Sequence, residues 1–366
     1  MCVKTRAGSC RAAIYSVSLI CNICQIPMIT EIQDYNLKGV NTFRIDVCCR
    51  RWIEYSEAVD LVTVADMVAG EKYMCIGEGS NLLFLGDYDG AILHSRILDA
   101  EMTSDGSVTY LRAGSGISMD SLIGQCCVNG LWGLENLSGI PGETGASAVQ
   151  NVGAYGVEAK DVISSVECFD MVKREFVRFD ADECDYAYRW SMFKRPELKN
   201  RYIVTYVTFR LSAIPAPCLS YGNLAAQCGD ISSLTPMVVR NAVMALRESK
   251  LPSVEEIGSA GSFFKNPVVD RNVFDDVRRI AGDDTVVPHY DMGDKVKIPA
   301  AWLIEQCGFK GRSFGNVGVW HKQPLVIVNL TGKASSDEVL ELEEMIVKRI
   351  EERFGITLTP EVEHIK

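Results

Sequence analysis

Apolar positions recur along the chain at two different spacings, and the change of spacing divides it. Toward the N-terminal side they come as short runs, Tyr73-Met74-Cys75-Ile76 and Leu82-Leu83-Phe84-Leu85, on either side of Gly77-Glu78-Gly79-Ser80-Asn81. That pattern predicts strand, glycine turn, strand. Ser56 is placed to cap a helix over residues 57–67, which Ala69-Gly70 stops. Ser118 with Asp120 opens a helix that ends at Asn129-Gly130. Between residues 163 and 211 the runs alternate, as in Tyr202-Ile203-Val204-Thr205-Tyr206-Val207, and predict a sheet.

Past residue 213 the helical spacing takes over. Ile214-Pro215-Ala216-Pro217 breaks the chain; then Thr235-Pro236 starts a helix whose one face carries Val239, Val243 and Leu246. Pro299 opens a short helix that Gly308 closes. The clearest helix has the capping box Ser335-x-x-Glu338, the stripe Val339, Leu342, Ile346 and Ile350, and Gly355 as its stop. Strands upstream and clustered helices downstream predict an α+β protein of separate domains.

Composition narrows the class. At 366 residues the chain exceeds what one core organises, and 47% hydrophobic with 23% charged residues is ordinary for a globular protein. No uncharged apolar run reaches the length of a membrane span. The net charge of −11 argues against a nucleic-acid partner, whose phosphates need a basic face, but not against small anions in a locally basic cleft. Residues 1–27 carry Lys4, Arg6 and Arg11 and no acid, so the acid excess belongs to the remainder. That segment is expected to be a weakly ordered extension, because Ser16 and Ser18 interrupt its apolar stretch and no small-residue cleavage site follows. The 14 cysteines, two vicinal pairs among them, read as buried reduced thiols; Cys21-Asn22-Ile23-Cys24 has no second pair or His cluster, so no metal site is expected.

The turn at Gly77 lacks the third glycine and the following helix of a dinucleotide fingerprint. Small residues there still let backbone N–H groups converge on phosphate, although by itself the motif reads as a hairpin turn. The segment from Gly133 to Gly156 is glycine-rich, almost uncharged and too apolar for a solvated linker. It reads as backbone laid against something large and flat.

Six motifs then occur in order: Asn41-Thr42-Phe43; Gly77-Glu78-Gly79-Ser80-Asn81-Leu82-Leu83; Gly133-Leu134-Glu135 with Ile140-Pro141-Gly142; Gln150-Asn151-x-Gly153-Ala154-Tyr155-Gly156; Gly261-Ser262-Phe263-Phe264-Lys265-Asn266-Pro267; and Pro360-Glu361-Val362. From about Asn41 onward the chain closely resembles the UDP-N-acetylenolpyruvoylglucosamine reductases, the MurB-type flavoenzymes of peptidoglycan precursor synthesis, in their longer form. The resemblance implies a two-part FAD-binding region of the vanillyl-alcohol-oxidase/p-cresol-methylhydroxylase type, residues 28–95 and 96–212. It also implies a substrate-binding domain at 213–354 and a tail, 355–366, returning to the active site. It implies non-covalent FAD held by Asn41, Thr42, Gly77, Gly79, Ser80, Asn81, Leu82, Ile140, Pro141, Gly142, Gly145, Ala146, Ser147, Gln150, Asn151, Gly153, Ala154, Tyr155 and Gly156. NADPH as reductant, UDP-N-acetylglucosamine enolpyruvate as substrate, and a cytoplasmic monomer complete the expectation.

Hydride addition to the enolpyruvyl methylene drives negative charge onto the carbon beside a carboxylate, so the reaction needs a cation and an acid. By motif match Ser262 is the proton donor, Arg189 the carboxylate holder and Glu361 the catalytic glutamate; without the resemblance they would read as a turn serine, a surface charge and a tail residue. Tyr221, Lys250, Asn266 and Gln323 match positions of nucleotide-sugar or NADPH contact. Glu143 and Ala148 depart from the family pattern, and Glu143 is expected to point away from a flavin phosphate. Another FAD oxidoreductase leaves the Ser262 and Glu361 motifs without a role. A serine hydrolase would need a histidine flanking a Ser motif, a place that none of His94, His289, His321 and His364 takes, and a non-catalytic relative would have lost Arg189, Ser262 or Glu361.

Overall fold

A computed structural model describes residues 29–229 and 233–366; the expected extension, 1–27, lies outside the described residues. The chain forms two compact units, each built from non-contiguous segments.

The first unit includes Tyr55–Ala65 and Ser95–Val243. Its centre is an antiparallel sheet in the order Glu175–Asp180, Ile163–Asp170, Tyr202–Ser212, Val108–Gly114, Ala100–Asp105. Period-two alternation puts Val166, Cys168, Val207, Phe209, Leu111 and Ala113 into one core with Leu122, Ile123, Cys126 and Cys127 of the helix Met119–Val128. The expected sheet between 163 and 211 is therefore present, and the helix ends at Asn129 as its glycine signal predicted.

The second unit takes Ile29–Glu54, Asp66–His94 and Met244–Lys366. A four-stranded sheet runs Ile29–Asn36, Cys48–Tyr55, Tyr88–Ser95, Tyr73–Ile76. A second sheet runs Gly258–Ser262, Val326–Asn329, Val317–Val319, Ser313–Phe314. One apolar cluster joins Trp52, Leu83 and Phe84 to Phe263, Phe264, Leu342, Ile346, Ile350, Phe354 and Ile365. The helix Ser336–Phe354 has its capping box, with Glu338 N–H donating to Ser335 Oγ at 3.3 Å and Ser335 N–H to Glu338 Oε2 at 2.9 Å, and Gly355 ends it in the left-handed conformation.

Two local expectations fail for physical reasons. The helix expected from residue 57 begins at Asp60, because the Asp60 carboxylate takes the N–H groups of Ser56 at 3.1 Å and Glu57 at 2.9 Å and holds them in a turn. The two strands around the Gly77 turn do not pair as a hairpin: Tyr73–Ile76 lies parallel to Tyr88–Ser95, and Leu82–Phe84 lies parallel to Glu363–Ile365. The ten cysteines of the described part are all free thiols. Burial pushes Cys126 and Cys127 up to about 12 and Cys49 and Cys184 up to about 11, so none of these four is a thiolate at neutral pH. Among the described residues no helix is long and apolar enough to cross a membrane, and no group of three or more His, Cys, Asp or Glu is disposed to hold a metal ion.

Candidate active site

In the second unit three motifs far apart in sequence meet. Ser262 ends the strand Gly258–Ser262, opposite Val326, and is partly buried. The next residue, Phe263, accepts the N–H of Glu361 at 2.8 Å, and Phe264 bridges to Pro360. The carbonyl of Glu361 in turn accepts from Asn81 Nδ2 at 3.1 Å, and Glu363 N–H donates to the Asn81 carbonyl at 2.9 Å. The glycine turn, the serine and the tail glutamate are thus tied through main chain.

The turn is shaped by close approach. Gly79 is buried at φ +62, and a Cβ there would stand 2.3 Å from the Val40 carbonyl oxygen and 2.9 Å from Asn41 Cα. Asn41 is fully engaged by its own loop: Nδ2 donates to Leu37 and Ile45 carbonyls at 2.6 and 3.1 Å, and Oδ1 accepts Ile45 N–H at 3.0 Å. Thr42 Oγ1 donates to Ser259 O at 2.6 Å. The side chains of Asn41 and Thr42 therefore build the wall of the turn.

Other residues of this unit stand apart by role. Lys250 is the exposed last residue of the helix Pro236–Lys250, and its carbonyl accepts Trp320 Nε1 at 2.9 Å. Asn266 Oδ1 accepts Ala300 N–H at 2.9 Å, at the start of the helix Ala300–Gln306. Gln323 turns its Oε1 toward Leu325 N–H at 3.4 Å.

In the first unit the glycine segment is folded on itself. Gly142 accepts Met119 N–H at 2.9 Å, and Gly145, whose Cβ would stand 2.7 Å from Ser115 Cβ, donates to Ser115 O at 2.9 Å. Ile140 and Pro141 are partly buried, Ser147 Oγ donates to Thr144 O at 2.7 Å, and Ala146 faces solvent. Glu143 is buried at the N-cap of the short helix Thr144–Gln150. Asn151, left-handed at φ +48, donates to Glu158 Oε2 and Ala187 O and accepts Lys160 N–H. Ala154 pairs with Val157, and Tyr155 follows at φ +48. The Tyr155 ring meets Tyr221 edge to face at 5.9 Å, beside the exposed Gly156.

Arg189 has a left-handed backbone, φ +55, and its Nη2 donates to Gly153 O at 2.8 Å. Non-glycine residues seldom hold that conformation, and such strain gathers at functional sites. Two side chains that sequence reading missed belong here. Lys194 Nζ donates to Gln150 Oε1 at 2.6 Å and to Arg189 O at 3.3 Å. Asn136, wholly buried, donates through Nδ2 to Tyr155 O and Cys218 O at 2.8 Å each. Lys194 stands outside the glycine segment and Asn136 stands within it but between its glycines, so spacing singled out neither. Asp120 and Arg240 are further anchors: Asp120 Oδ1 accepts Gly139 N–H at 2.6 Å, and Arg240 forks onto both carboxylate oxygens at 2.5 and 2.7 Å. A separate cavity of about 610 Å³, lined by Arg112, Glu167, Phe176 and Tyr206 among others, contains none of the residues predicted from sequence.

A family model for an FAD binding domain matches residues 54–177, and one for the C-terminal domain of UDP-N-acetylenolpyruvoylglucosamine reductase matches residues 252–365. A UDP-N-acetylenolpyruvoylglucosamine reductase of Bacteroides fragilis is 44% identical over 336 residues, 91% of this chain and 99% of its own. One of Porphyromonas gingivalis is 41% identical over 339 residues, with 91% and 98% covered. The crystal structure of the UDP-N-acetylenolpyruvylglucosamine reductase of Thermus caldophilus superposes with a TM-score of 0.63 at 22% identity, over 92% of this chain and 99% of that one, a likeness of fold.

Proposed function

The chain belongs to the UDP-N-acetylenolpyruvoylglucosamine reductase family, and on that premise we propose that it reduces the enolpyruvyl ether of UDP-N-acetylglucosamine enolpyruvate to the lactyl ether of UDP-N-acetylmuramate. The double bond gains a hydride at its methylene carbon and a proton at the carbon bearing the carboxylate. Bound FAD would supply the hydride, with NADPH as the reductant.

The residues present suit a large flat cofactor. The glycine segment carries a buried donor, Gln150 Nε2, and a buried acceptor, Asn136 Oδ1, neither with a partner among the described residues. Buried polar groups of that kind are satisfied in a working protein, so both point to a bound polar molecule. Backbone at Gly79 and Gly145 approaches its neighbours too closely for any side chain. FAD is assigned to residues 28–95 and 96–212, and the nucleotide-sugar to 213–354 with the tail 355–366.

Each acting residue has a distinct task. Arg189 holds the substrate carboxylate: a guanidinium has five donors in a fork, so one can stay on the Gly153 carbonyl while a pair grips the carboxylate. That grip stabilises the charge arriving on the adjacent carbon. Ser262 gives the proton, and Glu361 orients and restores that proton from a tail held by Phe263 and Asn81. Tyr221 and Lys250 bind the nucleotide-sugar diphosphate, and Asn266 and Gln323 complete the contacts to it and to NADPH. The enzyme works as a monomer in the cytoplasm, where NADPH is available.

The convergence of the Gly77 turn, Ser262 and Glu361 carries the reading. Its test is optical: the purified protein should be yellow, bleach with NADPH and recolour with UDP-N-acetylglucosamine enolpyruvate. A protein that stays colourless after reconstitution with FAD overturns it.

A further inference from the structure

Gln150 is the last residue of the short helix Thr144–Gln150. Its amide has two faces of opposite character, an accepting oxygen and a donating NH₂, and similar shape in either orientation. Only a neighbour restricted to one role decides which face is shown. Lys194 is such a neighbour. Its ammonium donates and never accepts, and it lies 2.6 Å from Gln150 Oε1. That contact turns Nε2 the other way, where it is buried and has no partner among the described residues. The same ammonium reaches the Arg189 carbonyl at 3.3 Å, on the residue whose guanidinium holds Gly153 O.

We propose that Lys194 is a positioning residue for the cofactor: it locks the Gln150 amide so that Nε2 is presented as a donor to an acceptor atom of bound FAD. The inference rests on the reading of the chain as an FAD enzyme. Without the ammonium the amide is free to turn, and half of its orientations set an oxygen against the flavin acceptor. Lys194 therefore fixes a polarity at the flavin without touching it. Lys194 stands in Trp190-Ser191-Met192-Phe193-Lys194, outside every glycine motif.

The substitution Gln150→Glu separates this from a structural role. A carboxylate at that position pairs with Lys194 more strongly than an amide does, so a purely structural contact is kept or improved. It has no N–H, so the donor is lost. Flavin fluorescence on dilution of the holoenzyme should show FAD held about 10- to 100-fold more weakly in Gln150→Glu, with the thermal midpoint of the protein undiminished. Lys194→Met should weaken FAD about tenfold and shift the visible flavin band, and Lys194→Arg should restore most of both. On a Gln150→Leu background Lys194→Met should add nothing to the loss of FAD affinity, because its effect passes through the amide. FAD affinity unchanged in Gln150→Glu, or Lys194→Met and Gln150→Leu effects that simply add, overturns the proposal. Wild-type protein that holds no FAD overturns the family reading instead.

Discussion

Glu361 donates its main-chain N–H to the carbonyl of Phe263 at 2.8 Å, one residue beyond Ser262. The tail is therefore held by its backbone, and the Glu361 side chain can be changed without releasing it. Glu361→Gln is expected to leave stability within about 0.5 kcal/mol of wild type, as for a substitution that breaks no core or cap. It should leave bleaching by NADPH intact and slow recolouring by substrate about 10²-fold or more. Stopped-flow absorbance of the flavin band separates the two steps.

Ser262→Ala is expected to act on the second step alone, slowing recolouring by about 10²- to 10⁴-fold, the range for removal of a positioned acid. Equal slowing of both steps would show that the serine supports the strand end and not the proton.

Gly79→Ala tests the close approach at the turn. The added methyl meets the Val40 carbonyl oxygen at 2.3 Å, and φ +62 strains any side chain. Together these are expected to cost about 2–4 kcal/mol in urea unfolding and to release FAD. Full flavin content after gel filtration of this variant would count against the turn as a cofactor wall.

Asp120→Ala removes one acceptor shared by Gly139 N–H and the Arg240 fork. Both donors lose their partner at a partly screened site, since the Asp120 side chain keeps 33% of its exposure. A loss of about 1–3 kcal/mol is expected, with weaker FAD retention because Gly139 stands in the glycine segment. Chemical unfolding with and without added FAD measures both.

Glu135 offers a pH test. Its side chain is almost wholly buried, which raises its carboxyl above the ordinary range despite the Gly133 N–H donated to it at 2.7 Å. A raised native value means that the folded state binds the proton more tightly, so this group favours folding in acid and penalises it once ionised. Glu135→Gln is expected to melt higher than wild type at neutral pH, and the gap should close as pH falls through the raised value. A gap that widens toward acid pH would contradict the burial argument.

Three helices after residue 233 were legible because their caps, stripes or stops stand out, as in the capping box at Ser335 and the stop at Gly355, whereas the helix Arg271–Ala281 was not read. The central sheet was legible from alternation around Tyr202. Its partners were not: nothing in the composition of Leu82–Phe84 announces that it pairs with Glu363–Ile365 rather than with the strand just before it. Pairing across such separations is set by the shared core of Leu83, Phe84, Phe263 and Ile365, which periodicity does not encode. The site divided in the same way. Serine, arginine and glutamate carried recognisable neighbours, whereas Lys194 and Asn136 each make two hydrogen bonds to residues outside their own motif and left no local pattern.

The bond from Asn81 to Glu361 spans 280 positions of sequence. A growing chain makes its glycine turn early and then waits for nearly all of its remaining length before the strand that flanks the turn exists. A chain that lacks Glu363–Ile365 leaves the edge of Leu82–Phe84 without the strand that pairs with it here. The edge at Leu82–Phe84 is thus among the last parts of the second unit to close, because its partner strand ends at Ile365.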